Sequence, residues 1–142
     1  MTDFLKDDPK LWNYYKWVTG LKNAPYIDVI EGSYIARPVQ DNVPKDLNNK
    51  ATYYKEEKGT DVNFSVHAMT KAFYNSYDIG FFISADTDYV TVYKALKDIG
   101  KLSEVVVVKG QNIHKLKPHI DNYIVLEDDF FKSCLRQSQK NN

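Results

Sequence analysis

The sequence predicts an α/β fold with a mainly parallel sheet, and three observations carry that prediction. Ile79-Gly80-Phe81-Phe82-Ile83 and Val105 to Val108 are apolar runs without polar alternation, a pattern that suits strands covered on both faces of a parallel sheet. Between them Val92, Leu96 and Ile99 recur at intervals of three or four, as on the inner face of a helix. Strand and helix then alternate along the chain, the order that right-handed βαβ units produce.

The elements follow in order. Asp8-Pro9 reads as a helix start, with the aspartate as cap and the proline at the first helical position, where its missing N–H costs nothing. Leu11, Tyr15, Val18 and Leu21 continue at helical spacing, and Gly20 lies near the expected end. Tyr26 to Ile30 predicts a short strand that Tyr34 to Ala36 extends past Gly32, and residues 37–50, rich in Asn, Asp and Pro, predict a polar loop. Lys58-Gly59-Thr60-Asp61 predicts a turn feeding a helix of about four turns, whose inner face carries Val62, Val66, Met69 and Phe73. Asp88 is the expected cap of the helix after Ile83, and Gly100 its stop. Tyr123 to Leu126 predicts the last strand, and from Asp128 a helical tail through Phe130, Phe131 and Leu135. Residues 1–127 read as one domain and 128–142 as a tail.

Bulk properties narrow the function. A chain of 142 residues that is 43% hydrophobic and 14% aromatic is too apolar to be disordered and suits one domain. Nineteen basic residues balance nineteen acidic ones, so any nucleic-acid role must rest on a local patch. The single cysteine, Cys134, excludes an internal disulfide and points to a reducing cytoplasm. No apolar run approaches the ~20 residues of a membrane span, and Met1-Thr2-Asp3-Phe4 does not open a signal peptide.

The densest chemistry is Ser84-Ala85-Asp86-Thr87-Asp88, directly after the most apolar run. Ligands of open parallel sheets bind beyond the carboxyl ends of the strands. Two carboxylates two residues apart there can converge on one hard cation, and oxygen ligands suit Mg²⁺ or Mn²⁺. A cation is also what makes such crowding of like charge tolerable. The structural alternative is that Asp88 caps a helix and Asp86 holds a turn. Asp61 has the same two readings, and Lys58 is either a phosphate contact or a solvated side chain. Lys101, Lys109, His114, Lys115, Lys117 and His119 form a basic set that either contacts phosphates or is an ordinary wet rim. The Asp86-x-Asp88 pair also resembles the nucleophile motif of haloacid-dehalogenase-type phosphatases. The span from Asp88 to Asp128 is too short for the elements that separate the acidic motifs there.

Three stretches together carry a more specific resemblance: Glu57-Lys58-Gly59-Thr60-Asp61-Val62, Ile83-Ser84-Ala85-Asp86-Thr87-Asp88-Tyr89-Val90, and Gly100-Lys101. In this order they resemble the NYN domain of the PIN-like superfamily, in particular its LabA-like group, where the first stretch reads Lys-Gly-x-Asp-Val and the second Ser-Gly-Asp-x-Asp-Phe. Gly32-Ser33-Tyr34 is similar to that family's Gly-x-Phe, and Leu116 to Ile124, with Asp121, to its closing segment. The resemblance runs over roughly residues 10–127.

It implies a three-layer α/β sandwich and a metal-dependent ribonuclease site. In that site Asp61, Asp86 and Asp88 would be the catalytic carboxylates and the ligands of Mg²⁺ or Mn²⁺. RNA would be the substrate, with Lys58, Lys101 and Lys109 as its contacts. Two departures accompany it. The family opens on a central strand bearing an Asp, which Met1 to Asp8 does not resemble, and many relatives carry an Asp where this chain has His67. The expectation is a domain lacking that first strand, which either lies upstream of Met1 or is supplied by homo-oligomerisation or by a partner's strand. The alternative to catalysis is an RNA- or protein-binding module or remnant of the same fold.

Overall fold

The computed structural model describes residues 9–134. The expected cap Asp8, the opening segment Met1 to Asp8 and the tail beyond Cys134 lie outside the described residues. The chain divides into two compact units, Met1–Phe64 and Ser65–Asn142.

In the first unit, helix α1 (Pro9–Leu21) half-buries Tyr15, Val18 and Leu21, as their spacing predicts. The strand expected from Tyr26 does not form. Tyr26 turns at φ 63°, and regular structure resumes with β1 (Ser33–Pro38), which pairs antiparallel with β2 (Tyr53–Lys58). Strand β2 is absent from the sequence reading because Lys55-Glu56-Glu57-Lys58 carries no apolar signal. A two-stranded ribbon tolerates those charges by pairing them: Glu56 accepts Arg37 Nε at 2.6 Å and binds Lys58 Nζ at 2.6 Å. The polar loop therefore runs from Val39 to Thr52, not from 37 to 50. It is held by local bonds such as Asn48 N–H to Asp46 Oδ1 at 2.9 Å and Ala51 N–H to Asn49 Oδ1 at 3.1 Å. Gly32 has no room for a side chain, since a Cβ would run into Glu57 and Thr60.

Helix α2 (Thr60–Phe73) begins where the sequence places it, after Gly59 at φ +94°. Glu57 Oε1 accepts the Thr60 backbone N–H at 3.1 Å and its hydroxyl at 2.6 Å, satisfying a donor that the helix itself leaves open. The expected inner face is corrected. Val62, Val66 and Phe73 are exposed, whereas Ala72 is buried and Phe64, Ser65, Ala68 and Met69 are half-buried. Of the expected face only Met69 is covered; the covered stripe runs through Phe64, Ser65, Ala68 and Ala72, whose mostly small or polar side chains give a weak hydrophobic signal.

The second unit holds a three-stranded parallel sheet in the order β3-β4-β5, from β3 (Ile79–Ile83), β4 (Leu102–Val108) and β5 (Asn122–Leu126). A short 3₁₀ turn (Thr87–Tyr89) and helix α3 (Val90–Asp98) cross from β3 to β4. A second 3₁₀ turn (Lys117–His119) precedes β5, and helix α4 (Asp128–Cys134) follows it. This is the α/β class with a parallel sheet that the sequence predicts. Register places Phe82 beside Val105 and Val105 beside Tyr123. Phe82, Val105 and Val107 are buried with Val92, Tyr93 and Leu96 of α3.

The expectation that β3 is covered on both faces is corrected. Only Phe82 is buried, and Ile79, Phe81 and Ile83 stand exposed, Ile83 at 76%. β3 is the edge of its sheet, and α3 supplies apolar partners to one face only. Helix α3 stops at Gly100, whose φ of +76° lets Lys101 N–H reach back to Leu96 C=O at 2.9 Å. Among the described residues no helix is long and apolar enough to cross a membrane.

Candidate functional site

Because the three strands are parallel, their carboxyl ends share one edge, and Ser84 to Asp88 lies there. Ser84 Oγ accepts the Asp86 N–H at 3.1 Å, and Asp86 Oδ1 accepts the Asp88 N–H at 2.9 Å. Asp86 is thus the cap, in extended conformation at φ −71°, ψ 129°, and the expected cap Asp88 instead lies inside the 3₁₀ turn. The N-cap position of α3 is Tyr89, which makes no side-chain cap bond. Both aspartates are exposed.

Tyr93, on α3, is fully buried at 0% exposure. Its ring meets Phe82 edge-on at 5.5 Å, and its hydroxyl has no hydrogen-bond partner. Burial, and then the negative charge of Asp86, push the phenol up to about 12, so it remains a neutral donor. Sequence reasoning missed this residue. The signal was present in the 89, 92, 93, 96 spacing of Tyr89, Val92, Tyr93 and Leu96, all buried.

The donor chemistry of the turn fits a hard divalent ion. Each carboxylate oxygen offers two lone pairs, so the tethered Asp86 still has acceptor capacity. Mg²⁺ is commonly held by one or two carboxylates, with water and substrate phosphate completing its shell. Asp61 lies in the first turn of α2 in the first unit, whereas Asp86 and Asp88 belong to the second. Among the described residues, no three His, Cys, Asp or Glu side chains form a group able to hold a metal ion.

The three lysines fall in different surroundings. Lys58 Nζ is 2.6 Å from Glu56 Oε1 on an exposed strand end. Lys109 sits just past β4 on the carboxyl edge, 2.8 Å from Glu127, whose hydrogen bond and charge raise its pKa. Lys101 is only 7% exposed. It binds Asp78 Oδ1 at 2.9 Å and the Asn75 side-chain carbonyl, at the amino end of β4. That placement argues against Lys101 as a phosphate contact. Asp121 is also at the amino end, its Oδ2 accepting Ser103 N–H at 2.8 Å and Ser103 Oγ–H at 3.2 Å. It ties β5 to β4.

Lys109 also borders a shallow cavity of about 410 Å³ that His114, Lys117 and Tyr123 help to line. Lys117 Nζ stands 4.7 Å from the centre of the Tyr123 ring. The cavity lies over β4 and β5. An aromatic face edged by cations can take a nucleobase and its phosphate.

A family model described as the NYN domain matches residues 12–127. The chain is also similar to the crystal structure of a protein of unknown function from Vibrio parahaemolyticus, at 22% identity and a TM-score of 0.58. That likeness, which concerns the fold, covers 87% of this chain and 64% of the other, so the chain spans less than two thirds of its solved relative. No curated protein matches it.

Proposed function

The chain belongs to the NYN domain family, and from that premise we propose that it is a metal-dependent endonuclease domain that hydrolyses RNA phosphodiester bonds. The observation that carries this reading is the Asp86–Asp88 pair, set by a capped turn on the carboxyl edge of a parallel sheet. Asp86 and Asp88 would hold Mg²⁺ or Mn²⁺, with Asp61 as the third carboxylate that the family resemblance implies. Such an ion, when bound, supplies positive charge to the phosphate under attack and acidifies water.

The chain's own residues do the positioning. The bond from the Asp88 N–H holds the Asp86 carboxylate in the turn, and Ser84 holds the entry of the turn. Lys109, His114 and Lys117 offer cationic or hydrogen-bonding contacts to the backbone of a bound strand. Tyr123 would stack on a base once Lys117, whose Nζ lies over its ring, moves off to a phosphate. Lys58 is a further phosphate contact in this reading.

One observation favours a second reading, a non-catalytic RNA-binding module: the resemblance implies three carboxylates, and among the described residues no three acidic side chains form a group able to hold a metal ion. End-labelled single-stranded RNA incubated with Mn²⁺ separates the two. Cleavage that chelator and Asp86→Asn both abolish supports the endonuclease. Retention of the RNA without cleavage supports the binding module.

A further inference from the structure

We propose that the cavity over β4 and β5 is a subsite for one unpaired RNA nucleotide, and that it takes the keto bases uracil and guanine in preference to adenine and cytosine. The inference rests on the RNA reading above and deepens it. Gln111 and Asn112, which neither the motif nor the family match brings in, become its specificity residues.

The wall of the cavity is built by the turn after β4. Gln111 N–H donates to Val108 C=O at 3.1 Å, and Val108 N–H donates back to Gln111 Oε1 at 2.8 Å. The turn passes through Gly110 at φ +92°, which glycine adopts without strain. Just beyond it, His114 N–H donates to Asn112 Oδ1 at 2.9 Å. Only the oxygen of a side-chain amide can accept a backbone N–H, so these two bonds settle which way round the amides lie. Each oxygen is held by the chain itself, which leaves each NH₂ group to a ligand. Both residues line the cavity together with Lys109, His114 and Lys117, and no carboxylate lines it. The side chains there offer mainly donors, and an acceptor-rich anion is what fits them.

Tyr123 makes that anion a nucleotide. Its ring lines the same cavity, with Lys117 Nζ 4.7 Å from its centre. An exposed cation–π contact is weaker than a base stacked on the same ring. An entering base therefore displaces the ammonium, and the phosphate of the same nucleotide takes the lysine. The amides then sort the bases. Uracil O4 and guanine O6 accept hydrogen bonds, whereas the exocyclic amines of cytosine and adenine donate them. An amine facing Gln111 or Asn112 would meet a donor with a donor. Bases of a duplex are stacked and paired, so the subsite takes single strands.

The test titrates UMP, GMP, CMP and AMP into metal-free protein and follows ¹H–¹⁵N spectra, in the wild type, Gln111→Glu, Asn112→Asp and Tyr123→Leu. Working without metal keeps the Asp86–Asp88 turn out of the result, and the spectra report the fold of each variant. UMP and GMP should bind about fivefold or more tightly than CMP and AMP. Gln111→Glu and Asn112→Asp keep the acceptor for the Val108 or His114 N–H and replace the NH₂ donor by an oxygen. Their added charge weakens all four nucleotides together, but only base reading changes the ratio between them, which should fall. Tyr123→Leu should weaken all four by about tenfold. A six-nucleotide uridine strand should bind more tightly than UMP, through its further phosphates. Equal binding of the four nucleotides, or a ratio unchanged in both amide variants, overturns the base preference. UMP binding as tightly as the strand would make the ligand a free nucleotide and overturn the RNA subsite. A strand held or cut equally well by the wild type and Tyr123→Leu overturns the subsite and leaves the RNA reading standing. A strand that the wild type neither holds nor cuts, with or without Mn²⁺, overturns both.

Discussion

Asp86 Oδ1 accepts the backbone N–H of Asp88 at 2.9 Å, so the first aspartate of the pair holds the turn that presents the second. The Asp88 side chain has no part in that bond. The two positions therefore respond differently to substitution. Asp86→Ala should cost about 1 kcal/mol of stability through the lost cap, whereas Asp86→Asn should cost little, since asparagine caps as well. Asp88→Asn should be neutral. Urea unfolding of the three variants measures this, and equal losses at both positions would mean that the turn is held another way.

Lys101 and Lys109 should separate in the same manner. Lys101→Met removes the bonds to Asp78 and Asn75 from a buried position, and should cost roughly 1–3 kcal/mol while leaving RNA affinity unchanged. Lys109→Ala should leave stability nearly untouched, because its exposed pair with Glu127 contributes little. It should weaken RNA binding and lower the salt slope by about one. Filter binding at several salt concentrations reads the second effect.

The phenol of Tyr93 makes alkaline stability informative. Unfolded tyrosine ionises near 10, but burial and Asp86 hold the folded phenol to about 12. Between those values the unfolded state binds fewer protons than the folded one, so stability falls as pH rises, by roughly 1.4 kcal/mol per pH unit from this group. Tyr77, raised by burial, adds in the same direction. Tyr93→Phe should flatten the decline between pH 10 and about 12 while leaving stability at neutral pH unchanged or higher. An identical slope in the variant would contradict the burial of the hydroxyl.

Asp121 supplies a control. Its carboxylate takes two bonds from Ser103, so Asp121→Ala should destabilise by about 1.5–3 kcal/mol. Because it lies at the amino end of the sheet, it should not change the response to Mn²⁺. A melting curve with and without the metal checks both parts.

How much of this was legible in the sequence depended on where apolar signal coincided with structure. The runs Ile79–Ile83 and Val105–Val108 located the parallel strands β3 and β4, and Gly59 and Gly100 marked turns that adopt positive φ. Strand β2 was hidden because its stability comes from pairing with β1 and from Arg37–Glu56–Lys58 charge contacts, which periodicity does not register. The apolar character of β3 suggested double coverage, but side-chain chemistry alone cannot say that a strand is an edge. At the site, the aspartate pair was readable from spacing, while the assignment of the cap to Asp86 needed the backbone geometry of the 3₁₀ turn. Lys101 looked like any lysine after a glycine. Only the fold shows that it is buried against Asn75 and Asp78.

The most direct test of the central claim, that the Asp86–Asp88 turn takes a divalent cation, is thermal melting with and without millimolar Mn²⁺. A ligand that binds only the folded state at a hundredfold excess over its Kd adds about 2.7 kcal/mol, a rise on the order of 5–10 °C for a chain of this size. The account predicts such a rise in the wild type, and its loss in Asp86→Asn and Asp88→Asn, whose metal-free melting stays close to wild type. A wild type whose melting ignores Mn²⁺, or aspartate-to-asparagine variants that respond as it does, would contradict the claim and leave the pair as turn residues.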